Sequence, residues 1–392
     1  MKKTLLTLSI AAVFAVGASA AEFKAGTYTA KAPGIHGDVT VTVTFTKDKI
    51  ADVKVTHSET PGIGSKAAEL LPGRIVERQS PQVDGVTGAT ITSTAIRTAV
   101  ADTVKQAGAD PAALVPLAVK KQAKNETVDT DVVVVGGGGA GMSATIRTRM
   151  NGLNVVLVEK MPFIGGAASI SGGQVVAQGS KLQKAFGVTD DSVESMVKDF
   201  QANGHNLNDL SKLTLYAKNV GPTIDWLHDQ VGVKFIPNDL PFLAEYSHRR
   251  ALEFQGGAGT MAQHLREVIG SNGAKVLFNT RVEKLIVEDG KVTGVEAVDG
   301  NTGTKYTIRA KKTLLTTGGY GNNKNLLTDT YKNTLYYGPV SSTGDGLQMA
   351  QKLGVKTQLL EYGKRYPNGI EVAPGKAKST LALPGATSMP FG

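Results

Sequence analysis

The sequence contains no cysteine among its 392 residues. Without thiols, it can have no disulfide framework, thiolate metal site, iron–sulfur cluster, cysteine nucleophile or covalently attached c-type haem. Aromatic residues are few, at 6%, but 41% of the side chains are hydrophobic and 20% are charged, which is typical of globular proteins rather than disordered or fibrous ones. A chain of this length is expected to form two or three domains, each with its own core.

Long runs of like side chains are also scarce. Lys and Arg outnumber Asp and Glu by 43 to 34, a net charge of +9, but no block of five or more basic residues occurs. The charge therefore indicates solubility, with some attraction to acidic substrates or partners, and we expect no nucleic-acid partner. The histidines are too dispersed along the chain to indicate a metal site.

Residues 1–20 have the features of a secretory signal peptide. Lys2 and Lys3 precede an apolar stretch from Leu5 to Gly17, and small residues precede an expected cleavage after Ala20. The alternative, a buried N-terminal helix, is disfavoured because no charged residue interrupts the apolar stretch. That stretch is too short to span a bilayer, and no later segment approaches a membrane span. We therefore expect the mature protein outside the cytoplasm.

Residues 21–110 have the pattern of a small α+β domain. Two strands and two helices are predicted there: Asp38–Phe45, Ala51–Thr56, Ser65–Leu71 and Thr92–Gln106. The first strand alternates apolar residues with Thr, the period expected when one face of a sheet is buried. The last helix has Ile96, Val100 and Val104 on one face. Residues 111–129, which mix Ala, Pro and Lys without a strong period, are the expected linker.

Residues 130–392 form the second region and begin with a strand, a glycine turn, a helix and another strand. The corresponding segments are Asp131–Val135, Gly136–Gly141, Met142–Met150 and Asn154–Val158. This order is that of a βαβ unit, the usual start of a doubly wound parallel sheet. We therefore expect an α/β fold in which a doubly wound, Rossmann-like domain follows the small α+β domain.

Three glycines of this unit, Gly136, Gly138 and Gly141, have the spacing of a dinucleotide-binding loop. The first two let the backbone turn and approach a pyrophosphate at the start of the helix, and the third allows close packing of helix on strand. Glu159 ends the second strand, where a carboxylate accepts hydrogen bonds from an adenosine ribose. A plain flexible loop is the alternative, but strand, helix and acid all match the motif. By itself the motif does not separate FAD from NAD.

Further glycine-rich turns follow the acid. They include Gly165, Gly166, Ser171, Gly172 and Gly173 soon after it, and Gly318, Gly319 and Asp345 far downstream. Repeated close approach of the backbone favours a large cofactor that stays enclosed. A flavin can remain bound in this way, whereas a nicotinamide must come and go. The pattern therefore predicts non-covalently bound FAD, held by these residues together with the first three glycines and Glu159.

The first region holds a second candidate site, the loop Asp84–Thr90, which reads DGVTGAT. Gly88 and Ala89 leave space around the hydroxyl of Thr90. A threonine hydroxyl is a poor nucleophile, so an outside enzyme must carry out any covalent attachment there. The alternative is that Thr90 merely caps the helix that begins at this point, and both roles can hold together.

These motifs resemble those of two known families. The segments DVVVVGGGGAGMSA, LVEKMPFIGG, SHRRALEFQGGAG, TTGGYGNN and TGDGLQMA resemble, in order, those of the flavoprotein subunits of the fumarate reductase and succinate dehydrogenase superfamily, especially its soluble periplasmic branch. The loop that ends at Thr90 is similar to the Asp-x-x-[Ser/Thr]-Gly-Ala-Thr motif of FMN-binding domains. In those domains a flavin transferase esterifies the phosphate of FMN to the final threonine, so the resemblance implies covalent FMN on Thr90, with Asp84 as the first residue of its site.

The resemblance also implies an activity and its partners. Electrons from a membrane quinol-linked or cytochrome donor in the periplasm would pass from FMN to FAD, and hydride would then pass to the β-carbon of an α,β-unsaturated acid while a protein group protonates the α-carbon. Haem-bearing relatives use a cytochrome domain for electron input. Because this chain has no Cys, the FMN domain is expected to take that place. The match to a family segment near the flavin leads us to expect that His248 or Arg249 faces the cofactor.

Tyr366 bears on the choice of substrate. It stands where fumarate reductases of this branch have a histidine that contacts a substrate carboxylate. A phenol carries no charge near neutral pH and suits an aromatic or heterocyclic group better, so the chain resembles the urocanate reductase subgroup. A packed loop tyrosine is the alternative for this residue. For the whole protein the alternatives are reduction of fumarate or another 2-enoate, and a non-catalytic electron carrier or remnant.

The end of the sequence leads to a further expectation. In this family a capping region, a proton-donating arginine, a second substrate histidine and a final flavin-binding segment follow the position of Tyr366. We recognise no counterpart of them before Gly392. The reductase domain, residues 130–392, is therefore expected to be incomplete at its C-terminus.

Overall fold

The fold was obtained as a computed structural model, which describes residues 22–86, 88–117, 123–237, 240–363, 369–373 and 376–379. The strands are β1 (Gly26–Pro33), β2 (Asp38–Phe45), β3 (Ile50–Thr56), β4 (Asn125–Val135), β5 (Val155–Val158), β6 (Gln174–Val176), β7 (Ala251–Glu253), β8 (Lys275–Leu277), β9 (Thr280–Glu288), β10 (Lys291–Asp299), β11 (Lys305–Leu315), β12 (Gly369–Ala373) and β13 (Lys376–Ser379). The helices are α1 (Gly64–Arg78), α2 (Thr90–Gln106), α3 (Gly139–Met150), α4 (Lys181–Ala185), α5 (Val193–Asn203), α6 (Leu210–Trp226), α7 (Gly257–Ser271), α8 (Asp329–Lys332) and α9 (Asp345–Gln351). Short 3₁₀ turns lie at Gly166–Ile170 and Lys324–Leu326, and a π turn follows α6 at Leu227–Val231.

The chain divides into two compact units. The first unit consists of Met1–Ser58, Ala68–Gly85 and Ile91–Val119. The second unit consists of Glu59–Ala67, Val86–Thr90 and Lys120–Gly392. Two short segments from the N-terminal part of the sequence therefore belong to the second unit. The predicted domains are continuous in sequence, at residues 21–110, 111–129 and 130–392, whereas each compact unit is built from separate segments.

The first unit is built on an antiparallel sheet in the order β1-β2-β3. Val39, Val41 and Val43 of β2 are fully buried, as the alternation of apolar residues with Thr predicts. β2 has the predicted bounds, and β3 begins one residue before the predicted strand. β1 was not predicted, because most of its residues are exposed and its sequence has little apolar alternation.

Helix α1 is longer than the sequence suggested. The prediction ended at Leu71, but the helix continues through Pro72 to Arg78. A proline inside a helix removes one backbone donor and is normally unfavourable. Here Leu71 and Ile75 are both fully buried, so burial of the helix face outweighs the local penalty.

The second unit is built on a six-stranded sheet in the order β8-β5-β4-β11-β10-β9. The neighbours from β8 to β11 pair in parallel, and β9 and β10 add an antiparallel edge to β11. The predicted α/β fold is confirmed, with a mixed rather than purely parallel sheet.

Both faces of this sheet are buried, which explains the run of valines in β4. Val132 and Val134 pack into a core with residues of α3 and α7, including Met142, Ile146 and Leu265. The alternating residues, Val133 and Val135, pack into a second core with β9, β10 and β11 on the opposite face. Because successive strand residues point to opposite faces, a strand between two cores needs apolar residues at every position.

Strand β4 begins at Asn125, six residues before the predicted strand. Its polar first half pairs in parallel with β11, from Asn125 opposite Lys305 onwards, and is mostly exposed. The last five residues of the predicted linker, 125–129, are therefore part of a strand. Leu114, also in that stretch, is buried, and its carbonyl accepts a hydrogen bond from the Ser80 hydroxyl.

None of the helices in the described ranges combines the length and the apolar character needed to cross a bilayer. The predicted signal peptide, residues 1–20, lies outside the described residues.

Candidate cofactor site

A cavity of about 350 Å³ lies in the second unit, at the carboxyl ends of β4, β5 and β11. This is the position at which open α/β sheets bind ligands. Predicted residues from four separate parts of the sequence line it: Gly136, Gly138, Glu159, Gly166, Gly318, Gly319 and Asp345. Gly141, Gly165, Ser171, Gly172 and Gly173, which were also predicted, are not part of its wall.

The three glycines of the first loop each lack a side chain for a different reason. Gly136 has a φ of +101°, and a Cβ there would lie 2.6 Å from the carbonyl oxygen of Thr316. A Cβ on Gly141 would overlap the carbonyl oxygen of Gly136. Gly138, the N-cap of α3, faces open space with no atom within 4 Å of a Cβ position. The loop therefore leaves room at the start of α3, where a helix favours a bound phosphate.

Glu159 fixes this loop in place as well as lining the cavity. Its Oε2 accepts a hydrogen bond from the backbone N–H of Gly137 at 2.6 Å, and its Oε1 accepts one from Met161 at 2.8 Å. The residue is only 7% exposed. Burial raises its pKa above the ordinary value of a glutamate, although the two backbone N–H groups act in the opposite direction. The sequence predicted a ribose-binding acid here but not its bond to the loop.

Asp345 lies in the cavity wall, but its carboxylate is already engaged by two cations. It accepts hydrogen bonds from Lys160 Nζ at 2.8 Å and from Arg281 Nη2 at 2.7 Å, and the Thr343 hydroxyl donates a third at 2.9 Å. Burial alone would raise the pKa of Asp345, but Lys160 and the other donors hold it below its ordinary value. Sequence reasoning missed Lys160 and Arg281, which join β5, β9 and α9 at one end of the cavity.

The second glycine turn packs directly on the first. Gly165 donates its N–H to the carbonyl oxygen of Gly137 at 2.7 Å, and its φ is +138°. Gly166 lines the cavity, and a Cβ there would lie 3.1 Å from the Cα of Gly138. The Ser169 hydroxyl just beyond is buried and has no hydrogen-bond partner among the described residues. Ser169 is not part of the cavity wall, and its hydroxyl lies against the backbone of Gly165.

Ser171, Gly172 and Gly173 lie farther along, next to the start of α7. The Ser171 hydroxyl donates to the carbonyl oxygen of Ala168 at 3.2 Å. Gly173 has a φ of +84°, and a Cβ there would lie 3.0 Å from the backbone nitrogen of Ala258. A Cβ on Gly172 would meet no atom within 4 Å. These three residues shape the backbone beyond the cavity wall rather than the wall itself.

The downstream glycines complete the wall on the β11 side. Gly318 has a φ of +71°, and a Cβ on Gly319 would meet nothing within 4 Å. Thr316, which precedes them, bonds its hydroxyl to the carbonyl oxygens of Val135 and Gly136 at 3.0 and 2.8 Å. This threonine connects the two glycine turns, a role that no motif indicated.

His248 and Arg249 are not part of the cavity wall. His248 Nδ1 lies 3.1 Å from the Ser195 hydroxyl, and Arg249 donates to the carbonyl oxygen of Leu240. The expectation that one of them faces the cofactor is not supported by these positions. The neighbouring Arg250, which sequence reasoning did not single out, is instead the centre of a buried network.

The loop of the second motif is described except for residue 87. Asp84 and Thr90 are both exposed, and Thr90 is the first residue of α2. Gly88 has a φ of +85°, and Ala89 is buried. An exposed threonine beside small residues at the start of a long helix fits the attachment of a phosphate ester, since both access and helix polarity favour it.

Two further expectations concern Tyr366 and metal binding. Tyr366 lies outside the described residues. In the part of the chain that the structure covers, no cluster of three or more His, Cys, Asp or Glu residues could hold a metal ion.

The donor set of the cavity fits FAD. Open backbone at Gly138 and Gly319, the start of α3 and a buried carboxylate at Glu159 provide contacts that the pyrophosphate and ribose of FAD require. FAD would be held by these groups, with the ion cluster at Asp345 closing one end.

Comparison with known proteins gives two family matches. A model of the FAD binding domain matches residues 131–375, and a model of the FMN-binding domain matches residues 34–105. Both matches agree with the positions of the motifs found in the sequence.

Several curated proteins and solved structures are similar to the chain. Urocanate reductase of Eggerthella lenta is 33% identical over 360 residues, which are 89% of this chain and 59% of that protein. NADH:acrylate oxidoreductase of Vibrio harveyi is 28% identical over 420 residues, 89% of this chain and 41% of that protein. The structure of the open conformation of a flavocytochrome c3 fumarate reductase superposes with a TM-score of 0.54 and 34% sequence identity. The match covers 58% of this chain and 40% of that one. The chain thus spans about half the length of the curated relatives it matches.

Proposed function

The chain belongs to the family of FAD-binding domains, and from that premise we propose that it is a flavin-dependent reductase of α,β-unsaturated carboxylates with urocanate as its preferred substrate. FAD and FMN, the two predicted cofactors, are confirmed by the two domain matches. The observation that supports the proposal most strongly is that one chain combines an FAD cavity with an FMN-binding domain, while similar proteins reduce urocanate, acrylate and fumarate. Those three acids share a carbon–carbon double bond next to a carboxylate.

The chain's own residues have a supporting part in this chemistry. Bound FAD would supply hydride transfer to the substrate double bond. Glu159, the loop around Gly138 and the Gly318–Gly319 turn would hold the cofactor at the carboxyl ends of the sheet strands. The ion cluster of Lys160, Arg281 and Asp345 keeps these elements together where the cavity contacts β9 and α9.

Thr90 would carry the second flavin. Its exposed hydroxyl would accept FMN from a flavin transferase, and the FMN would pass electrons to FAD from a membrane quinol-linked or cytochrome donor. The N-terminal apolar stretch supports export, so we propose the periplasm as the location.

Tyr366 supports urocanate over fumarate as the substrate. A neutral phenol donates one hydrogen bond and suits an imidazole ring, whereas a second carboxylate is better met by a cation. The proposal therefore predicts that Tyr366→His shifts the preference toward fumarate.

The proposal is tested by anaerobic oxidation of a reduced viologen dye by the flavin-loaded protein, with urocanate, fumarate, acrylate and cinnamate as acceptors. We expect urocanate to accelerate dye oxidation most, and Tyr366→His to raise the ratio of fumarate to urocanate kcat/KM by about tenfold, the change expected from one altered charged contact. Tyr366→Phe is the matched control, since it removes the hydroxyl without adding a cation. If no acceptor accelerates dye oxidation, the protein is a non-catalytic electron carrier or remnant and the proposal is wrong.

A further inference from the structure

Two segments from the N-terminal part of the sequence belong to the second unit and contact other residues of that unit. Val86–Thr90 contains Gly88, where a Cβ would lie 3.0 Å from Met161 Cε and 3.1 Å from Phe163 Cζ. The stretch that begins at Met161 leads directly into Gly166–Ile170, whose first residues line the cavity. The loop that ends at Thr90 is therefore in contact with a segment that forms the cavity wall.

The other segment, Glu59–Ala67, contacts the same region through a tight turn. Gly62 has a φ of +72° and donates its N–H to the Ser65 hydroxyl at 2.6 Å. A Cβ on Gly259, at the start of α7, would lie 3.9 Å from both Thr60 Cγ2 and the Ser169 carbonyl oxygen. The turn thus lies beside the start of α7 and the end of the cavity-wall segment.

Arg266 of α7 joins the turn to the wall segment. Its Nη1 donates to the carbonyl oxygen of Ile164 at 2.9 Å, and its Nη2 donates to that of Pro61 at 3.3 Å. A Cβ on Gly62 would overlap the guanidinium, so the backbone of Gly62 lies flat against it. One side chain therefore fixes two backbone segments that are remote in sequence.

The charge of Arg266 is satisfied mainly by neutral oxygens. Besides the two backbone carbonyls, Gln263 Oε1 accepts from its Nε and Nη2 at 3.3 and 3.1 Å. Burial lowers its pKa below the ordinary value, with a small opposing effect of Glu267, and an arginine in this position remains a cation. A half-buried cation bonded to two backbone carbonyls is suited to holding a precise geometry, since guanidinium donors are planar and fixed.

We propose that Arg266 is a positioning residue that fastens the Thr60–Gly62 turn to the cavity-wall segment and so holds the flavin on Thr90 beside the FAD site. This rests on the proposed function in taking Thr90 as the site of FMN and FAD as the acceptor of its electrons. In the exchange that the arrangement serves, two electrons and two protons move from reduced FMN to oxidised FAD, so no further reactant is needed. Substrate plays no part in this step.

The first test is amide hydrogen exchange on the flavin-free protein. Arg266→Gln should raise the exchange rate of amides in residues 60–65 by about tenfold, the factor expected from the loss of one charged hydrogen bond. Arg266→Lys should have a smaller effect, because a single ammonium cannot make both bonds in the same plane. Arg309→Gln, which changes an exposed arginine of β11, is the matched control and should leave exchange unchanged. Exchange in Arg266→Gln equal to that of the wild type would overturn the proposal.

The second test mixes the oxidised two-flavin protein with a reduced viologen dye, without any acceptor, and measures the rate of FAD reduction through FMN by stopped-flow absorbance. In Arg266→Gln, with FMN and FAD content equal to the wild type by mass and absorbance, this rate should fall by about tenfold or more. Thr90→Ala defines the rate of direct input to FAD. Gly62→Ala, which adds a methyl group against the guanidinium and leaves Arg266 in place, should slow the step in the same way if Arg266→Gln does not fold. A wild-type rate in a folded variant contradicts the positioning role, whether or not any substrate is later found to be reduced.

Discussion

At the residue scale, the glycines of one loop lack side chains for different physical reasons. Gly136 and Gly141 are small because backbone atoms of the protein itself occupy the space of a side chain, whereas Gly138 is small with no protein atom near it. The first kind serves the fold and the second serves the ligand. Substitutions at these two kinds of glycine should therefore distinguish effects on stability from effects on cofactor binding.

Gly138→Ala and Gly141→Ala should therefore affect different properties of the protein. Gly141→Ala should lower the free energy of unfolding by about 1–3 kcal/mol, because the methyl group meets the Gly136 carbonyl oxygen. Gly138→Ala should leave stability within about 0.5 kcal/mol of the wild type and weaken FAD binding by about tenfold or more, because the methyl group occupies the cofactor's space. Urea unfolding of the apoprotein and fluorescence titration with FAD measure the two quantities.

A third glycine supplies the control for that comparison. Gly270 lies inside α7, with no atom within 4 Å of a Cβ position. Gly270→Ala should raise the free energy of unfolding by about 0.5–1 kcal/mol through helix propensity and leave FAD affinity unchanged. Wild-type FAD affinity in Gly138→Ala would show that the space beside Gly138 is not the cofactor site.

The same residues show how far sequence reasoning reached. Local spacing was enough to predict the glycine loop and Glu159, because the motif depends on neighbours within one βαβ unit. Lys160 and Arg281 were missed because their link to Asp345 depends on the order of strands in the sheet, which no local pattern contains. Thr316 was missed for the same reason, since its hydroxyl bonds to residues 180 positions away.

At the scale of elements, a buried arginine ties α5 to the strand pair β6 and β7. Arg250, only 1% exposed, donates to Asp191 through Nε and Nη2 at 2.7 Å and to Asp199 of α5 through Nη1 at 2.5 Å. Ser247 donates to the same Asp199 oxygen through its backbone N–H and hydroxyl. None of these residues lines the cavity, so this network supports the fold rather than the cofactor.

Removing the cation should therefore destabilise the protein without blocking FAD binding. Arg250→Met should lower the free energy of unfolding near pH 7 by about 3–5 kcal/mol, because it leaves two carboxylates without their buried partner. Lys311→Met, which breaks the exposed pair with Asp131, is the matched control and should cost about 1 kcal/mol or less. Urea unfolding curves for both variants provide the measurement.

The pH dependence of the same variants gives a second readout. Burial alone would raise the pKa values of Asp191 and Asp199, but hydrogen bonds from Arg250 and from neighbouring donors hold both below the ordinary value. A carboxylate whose pKa is lowered by folding stabilises the folded state at pH values above its ordinary pKa of about 3.9. This contribution is lost as the pH falls toward the lowered pKa of the folded state. The difference in stability between the wild type and Arg250→Met should therefore shrink below about pH 4. A difference that stays constant down to pH 3 would contradict this account of the network.

Prediction of the elements succeeded where periodicity is strong and failed where contacts decide. β2 and the elements of the first βαβ unit follow the apolar pattern. The sequence predicted the bounds of β2, α3 and β5 to within three residues, but it placed the start of β4 six residues too late. α1 passes Pro72 because two buried side chains hold its second half, and β4 begins early because β11 pairs with its polar residues. Neither effect is visible in local composition.

At the scale of the whole chain, the α/β fold and both cofactor domains followed from the sequence, while the division into units did not. Glu59–Ala67 and Val86–Thr90 join the second unit through contacts such as that of Arg266 with Pro61, 205 residues apart. A boundary drawn along the sequence cannot represent contacts of that separation. The interleaving is also what connects the FMN motif to the wall of the FAD cavity within one unit.

The central claim is that this chain carries two flavins, one on each of its two binding motifs. The most direct measurement is the flavin content of the protein, produced with its flavin transferase and then denatured. One FAD per chain should be released into solution, and one FMN should remain attached to the peptide that contains Thr90; Thr90→Ala should lose only the FMN. Protein that releases no FAD, or that keeps its attached FMN in Thr90→Ala, would contradict the account.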